Sequence, residues 1–412
     1  MIKIHKSVEL FILKLDFKFT CPECSNEKLA EFTFRELTQV DRNRFAFLAR
    51  CLKCNHTSRV TSIKPPPAKF TYPPKSKLND LYDSGINLWL TDFCNQSCNY
   101  CLAKPWIYNE EKQSSYITME KLQKVVDWLT ASPLQNTLQI MGGEPLTHPN
   151  IIELVKFLVN SPVEPSSILT NGLCDPKITT EIKRLKPDIS FCINVDHPET
   201  YSRKEWNRII KNLENCHFPR SKRQVSSENL KKAYQLNLAF TLHTPEQPFE
   251  YIIDLAKKYE VTAIRYAPAS PASDLSNDYV DFNKLKKIKP TLLNFVKKAA
   301  KNKIKPNLDC TLPPCLFTID EWHFMMNFTT NLKTSCDPIL DLLPDLRMGY
   351  CACTFDLFDF FDLNEDNPAH KLKKIVSQAN KARNIVPERC QNCDFFHDNI
   401  CQGHCLRYKK DE

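Results

Sequence analysis

Six runs of mostly apolar residues, each seven or eight long, recur through the middle of the chain. They are "INLWLTD" (86–92), "TLQIMGG" (137–143), "SSILTNG" (166–172), "ISFCINVD" (189–196), "LNLAFTLH" (236–243) and "TAIRYAPA" (262–269). Stretches of a different period separate them. "TMEKLQKVVDWL" (118–129) and "NIIELVKFLV" (150–159) space their apolar residues three and four apart, as an amphipathic helix does. Alternation of this kind implies βαβ units: a parallel sheet with helices outside it and ligands at the carboxyl ends of the strands. Six such units predict an α/β fold, a curved and incomplete (β/α)6 TIM-like barrel rather than a closed eight-stranded one.

The pattern changes on both flanks. Before the barrel, alternating segments such as "LAEFTFREL" predict the strands of a small module. "KPPP" (64–67) and "YPP" (72–74) then impose a stiff, extended connector. Beyond about residue 309 come scattered cysteines, prolines and short segments, the texture of a metal-stapled module. The expected organisation is a zinc-ribbon-like module over 1–63, a linker over 64–83, the barrel over 84–308 and a cysteine-rich module over 309–412.

A net charge of +8 raises the question of nucleic acid, but the lysines of the run at 284–305 accompany Leu292, Leu293, Val296 and Ala300 at helical spacing. That predicts the solvated face of an amphipathic helix, and no nucleic-acid partner is expected. The apolar stretch at the N-terminus is interrupted by Glu9, Lys14, Asp16 and Lys18, which a signal peptide would not tolerate. No run approaches membrane-spanning length, so a cytoplasmic protein is expected. Nineteen cysteines in a reducing compartment, clustered as CxxC pairs, imply metal rather than disulfides. Cys174, Cys192 and Cys216 stand alone and are read as buried, inert thiols.

The loop after the first barrel strand, "CNQSCNYC", offers Cys94, Cys98 and Cys101 as ligands and no fourth cysteine nearby. Iron-sulfur cubes are usually held by four thiolates, so three would leave one iron open to an outside ligand. The alternative is a closed site with a remote fourth cysteine. Three of the six glycines, Gly142, Gly143 and Gly172, fall at the ends of the second and third strands, where a ligand approaching closely would require them. "GGEP" adds Glu144, able to bind an ammonium group, and Pro145; "TNG" adds Asn171.

The three-cysteine loop with Tyr100 before its last cysteine, followed by "GGEP" and "TNG" at strand ends, resembles the radical S-adenosylmethionine (SAM) enzymes over roughly residues 84–270. The resemblance implies a 4Fe-4S cluster on Cys94, Cys98 and Cys101 whose open iron is chelated by the methionine half of SAM. Gly142, Gly143 and Glu144 would hold its amino group, and Tyr100 would lie near the adenine. Asn194 and Asp196 fall where the family often has Ser and Asp near the ribose and methionine. One electron, from a donor such as a flavodoxin or ferredoxin, would then release a 5'-deoxyadenosyl radical that abstracts hydrogen from substrate.

Cys21, Cys24, Cys51 and Cys54 form two CxxC pairs suited to a closed tetrahedral zinc site, with a rubredoxin-like iron as the alternative. The C-terminal cysteines are similar to the SPASM or twitch extensions of the same family, which bind auxiliary 4Fe-4S clusters. By that resemblance Cys336, Cys351 and Cys405 share one cluster, completed by Cys315 or Cys310; Cys390, Cys393 and Cys401 form a second with its fourth ligand open. Departures are the longer gap from Cys393 to Cys401 and "PDL" (344–346) where "PDG" is more common. His404, beside Cys405, is the one histidine singled out for cluster contact. The expected substrate is a peptide or protein side chain; a small metabolite, or a redox-sensing nucleic-acid binder, are the other readings.

Overall fold

The computed structural model describes residues 23–24, 30–41, 44–51, 54, 57–62, 86–132, 137–217, 236–336, 339–364, 368–397 and 401–409. Toward the N-terminus, β1 (Ala30–Asp41), β2 (Arg44–Cys51) and β3 (Thr57–Ser62) form an antiparallel sheet in that order. Cys51 ends β2, Cys24 is half-buried and Cys54 is exposed. Cys21 and the proline connector lie outside the described residues.

The second sheet has ten strands. Its parallel part runs β4 (Ile86–Trp89), β5 (Thr137–Met141), β6 (Glu164–Thr170), β7 (Ser190–Asn194), β8 (Leu236–Leu242), β9 (Ala263–Pro268) and β10 (Lys305–Leu308), each pairing with the next. The first six coincide with the apolar runs. Crossovers carry α1 (Met119–Ala131), α2 (Ile151–Val159), α3 (Pro176–Leu185), α4 (Arg203–Cys216), α5 (Glu250–Lys258) and α6 (Phe282–Lys301). The sheet is open, as an incomplete barrel requires.

The strands explain the geometry through their own alternation. Leu138, Ile140, Phe191, Ile193, Leu238 and Ile264 are sealed at 0% exposure, whereas Gln139, Ser167, Asn194, Asn237 and Arg265 on the other face are only half-buried. One face therefore packs under helices and the other lines an open, polar interior. The helices are amphipathic to match. Helix α1 starts where the Thr118 hydroxyl accepts from the Lys121 amide and buries Leu122, Val125, Val126 and Leu129; α4 opens with a Ser202–Glu205 capping box. Helix α6 buries Leu285, Ile288, Leu292, Phe295, Val296 and Ala299, so its lysines face outward as expected. Lys305, included in that helical run, instead opens β10.

Strands β11 (Leu340–Leu342), β12 (Arg347–Tyr350) and β13 (Phe361–Asp362) extend the sheet past β4, with β11 parallel to β4. They follow α7 (Ile319–Phe328) and precede α8 (Pro368–Arg383) and α9 (Asp394–His397). The turn between β11 and β12 holds Leu346 at φ 75°, a left-handed conformation that favours glycine, at the "PDL" departure. Trp89 of β4 packs against Leu343, Ala352 and Phe355, so the hairpin covers the first strand's inner face. Among the described residues no helix is long and apolar enough to cross a membrane.

Candidate active site

Cys94, Cys98 and Cys101 lie on the loop that leaves β4 at its carboxyl end. The loop is pinned throughout its length. Cys94 N donates to Tyr108 O at 2.8 Å, Cys101 N to Cys98 O at 3.2 Å, and Asn109 Nδ2 to the carbonyls of Cys94 and Gln96 at 2.8 Å each. From across the barrel, Asn277 Nδ2 donates to Tyr100 O at 3.0 Å and Asp278 N to Asn99 O at 2.8 Å. Burial pushes the Cys94 and Cys98 thiols up to about 12 and raises Cys101 as well. Unligated, they keep their protons, and a bound metal must displace them. Among the described residues no three His, Cys, Asp or Glu side chains converge on a single ion. A donor set of three soft thiols on one short loop instead suits an iron-sulfur cluster.

Gly142 and Gly143 make room for the chain itself. A Cβ on Gly142 would stand 2.3 Å from Thr91 O, and one on Gly143 would stand 2.2 Å from Phe93 O. What approaches these strand ends is the chain's own cysteine loop, tied down by Gly143 N to Thr91 O at 2.9 Å and Glu144 N to Phe93 O at 2.7 Å. Glu144 is likewise occupied. Its buried carboxylate accepts from Leu146 N at 3.0 Å, Thr170 Oγ1 at 2.7 Å and Asn171 N at 2.7 Å, stapling the ends of β5 and β6 together. Burial outweighs those three donors and raises its pKa to about 7. Pro145 begins the short turn that follows, and Asn171 Nδ2 reaches the cysteine loop at Asn95 Oδ1, 2.8 Å away.

At the end of β7 the Tyr100 hydroxyl lies 2.6 Å and 2.7 Å from the Asp196 carboxylate oxygens and accepts from Asn194 Nδ2 at 3.3 Å. Asp196 N donates to Tyr201 OH at 2.9 Å. The Tyr100 ring stacks on His243 at 4.7 Å. Tyr100, Asn194 and Asp196, predicted from separate segments, thus meet beside the cysteine loop, where burial raises the Asp196 carboxyl. His243, whose sequence reading is a surface or hydrogen-bonded histidine, belongs to the same site. Asn109 and Asn277 also belong to it and were missed: they are single polar residues in loops, with no spacing to mark them.

The C-terminal thiols gather in two groups. Cys351 Sγ lies 3.4 Å from Cys353 Sγ, which lies 4.0 Å from Cys405 Sγ. The Cys336 and Cys353 thiols hold Cys405 well below its ordinary range; Cys405 in turn pushes Cys336 up, and Cys351, then Cys405, push Cys353 up. Cys310, which accepts from Ser270 Oγ at 3.6 Å, feels Cys405 and Cys351. Cys315 instead feels Cys401, Cys393 and Cys390. Cys353, absent from the predicted ligand set, therefore joins the first group, and Cys315 accompanies the second. His404 is buried, stacks on Tyr408 at 5.0 Å and pairs with Thr311 Oγ1 at 2.8 Å; burial lowers it to about 4, so it is neutral.

Residues 90–258 match the family model of the Radical SAM superfamily. The chain is 32% identical over 110 residues to a GTP 3',8-cyclase of Alkaliphilus metalliredigens (strain QYMF), covering 26% of this chain and 34% of the relative. It thus spans about a third of that protein's length. Identity to the radical SAM cyclopropyl synthase TigE of Paramaledivibacter caminithermalis (strain DSM 15212 / CIP 107654 / DViRD3) is 26% over 352 residues, 78% of this chain and 67% of TigE. The crystal structure of Streptococcus suis SuiB bound to precursor peptide SuiA superposes with a TM-score of 0.55 at 12% identity, covering 81% of this chain and 74% of SuiB. That likeness is one of fold. Together with the three-thiol loop at the open end of the barrel, the family match marks residues 90–258 as a radical SAM domain, the fold of an enzyme.

Proposed function

We propose that the protein is a radical SAM enzyme that modifies a peptide. The observation that carries the reading is the single loop presenting Cys94, Cys98 and Cys101 beside the Tyr100–Asp196–Asn194 cluster, over a polar barrel interior. When bound, a 4Fe-4S cluster on those thiols supplies the electron that cleaves SAM to methionine and a 5'-deoxyadenosyl radical. The protein's own part is to hold and exclude. Asn109 and Asn277 fix the cysteine loop, Asp196 offers a carboxylate to ribose hydroxyls, and the strand-end carbonyls of Gly142 and Gly143 would be offered to an ammonium group.

The peptide part draws on the fold shared with SuiB, a protein seen with a precursor peptide, while the likeness to the radical SAM cyclopropyl synthase TigE, over most of this chain, supports the radical chemistry. The likeness to GTP 3',8-cyclases, which in one relative reaches 261 residues and 61% of this chain at 26% identity, favours a small-molecule substrate as the second reading. Both thiol groups of the C-terminal module would hold auxiliary clusters: Cys336, Cys353 and Cys405 with Cys351 or Cys310, and Cys390, Cys393 and Cys401 with Cys315. Cys24, Cys51 and Cys54, with Cys21, would hold zinc.

Anaerobic incubation of the reconstituted protein with SAM and a low-potential reductant is expected to yield 5'-deoxyadenosine, and Cys98→Ala none. Equal yields from both proteins would end the assignment. Iron analysis should give about twelve per chain for three clusters; about four would leave the barrel cluster alone.

A further inference from the structure

The inner face of the barrel carries a polar row that starts at the SAM site and whose far part SAM binding leaves unassigned. Across β7, β8, β9 and β10, strand register aligns Asn194, Ala239, Arg265 and Asn307. Asn194 is the residue that touches Tyr100. With neighbouring strands about 4.8 Å apart, Arg265 stands about 10 Å along the row from it. The intervening residue, Ala239, has only a methyl group, so the space between is not filled from the strand.

Arg265 does not stand alone. Its Nη2 donates to Asp309 Oδ2 at 2.7 Å, and Asp309 is itself set by its amide donating to Tyr266 O at 3.0 Å. The two side chains keep 29% and 38% of their surface exposed, so the pair opens onto the interior rather than being sealed in the core. The pairing also cancels the charge of the row. A nucleoside triphosphate placed here would bring several negative charges to a neutral wall, at a high desolvation cost. A guanidinium and a carboxylate side by side match a different ligand: one extended residue, whose main-chain N–H and C=O point to the same side of the strand.

We propose that Arg265 and Asp309 are the substrate anchor of the barrel, the guanidinium taking the carbonyl and the carboxylate taking the N–H of one extended residue of a peptide. The inference rests on the peptide-modifying reading above and deepens it. It assigns the position of the chain about one side chain's reach from the Tyr100 cluster.

The test uses the full-length reconstituted protein and saturation-transfer NMR with two probes, a capped tri-alanine peptide and GTP. The wild type is expected to transfer saturation to the peptide and little to GTP. Arg265→Gln should weaken the peptide transfer about tenfold, the size of one charge-assisted hydrogen bond. Asp309→Asn should weaken it too, while raising transfer to GTP because the row becomes positive. A merely structural ion pair would not move the two probes in opposite directions. Equal peptide transfer in all three proteins, or GTP preferred by the wild type and lost in Arg265→Gln, would overturn the anchor. Binding needs no SAM cleavage, so a wild type that makes no 5'-deoxyadenosine but shows this pattern would sink the radical reading and keep the anchor.

Discussion

The substitution Gly143→Ala tests how the barrel positions its cysteines. The new Cβ would lie 2.2 Å from the Phe93 carbonyl oxygen, 2.5 Å from its carbon and 3.0 Å from Asp92 O, all backbone atoms, where ordinary contact begins near 3.4 Å. The loop must retreat by about 1 Å, since backbone cannot swing aside as a side chain does. That movement breaks or stretches Gly143 N to Thr91 O and Glu144 N to Phe93 O, now 2.9 Å and 2.7 Å. At about 1 kcal/mol for each bond, with residual strain, the chain should lose about 3 kcal/mol of stability. Cys94 follows Phe93 directly, so the thiol moves with the loop.

The control is Gly172→Ala. Its φ of +74° also disfavours alanine, but the added Cβ meets the Ile193 Cγ2 methyl at 2.9 Å, which can give way. It should cost about 1 to 2 kcal/mol and leave the cysteine loop in place. Denaturant melts of both variants, with iron and sulfide counts after anaerobic reconstitution, separate the two effects. A Gly143→Ala protein as stable as the wild type, with full iron loading, would refute the reasoning.

The Glu144 carboxyl, raised from 4.5 to about 7 by burial, binds its proton more tightly folded than unfolded, so stability should fall as pH rises from about 4.5 to 7, by about 3 kcal/mol at most. Glu144→Gln should flatten that part of the profile relative to wild type; parallel profiles would contradict it. At the β11–β12 turn, Leu346→Gly recovers about 1 kcal/mol of left-handed strain but gives up a side chain buried to 1% exposure. It should cost about 1 to 2 kcal/mol, less than the roughly 3 kcal/mol of Leu342→Ala, and urea unfolding that reverses the order would count against the strain.

The barrel was legible because each strand pairs a sealed apolar face with crossovers of helical period, and six such segments leave little choice of architecture. Strand β10 was not legible: "KPNL" contains a lysine and a proline and is a strand only because β9 offers it an edge. Strands β11 to β13, two to four residues long, are too short for period to show. In the site, Tyr100, Asn194 and Asp196 were found at strand ends and do meet. At Gly142 and Gly143 the close approach is made by the cysteine loop, since spacing marks a close approach without saying whether ligand or backbone makes it. Cys353 was left without a place in either ligand group, and only the fold shows its thiol 3.4 Å from Cys351 and 4.0 Å from Cys405. His243 and Asn277 come from distant segments, and only the closed fold brings them to Tyr100.

The central claim is that the cluster held by Cys94, Cys98 and Cys101 keeps one iron free of protein ligands. Pulsed electron-nuclear resonance on the anaerobically reduced protein, mixed with SAM labelled at its amino nitrogen, reads that corner directly. A hyperfine coupling from the labelled nitrogen is the predicted result; a cluster spectrum unchanged by SAM, with all four irons bound by side chains, would contradict the account.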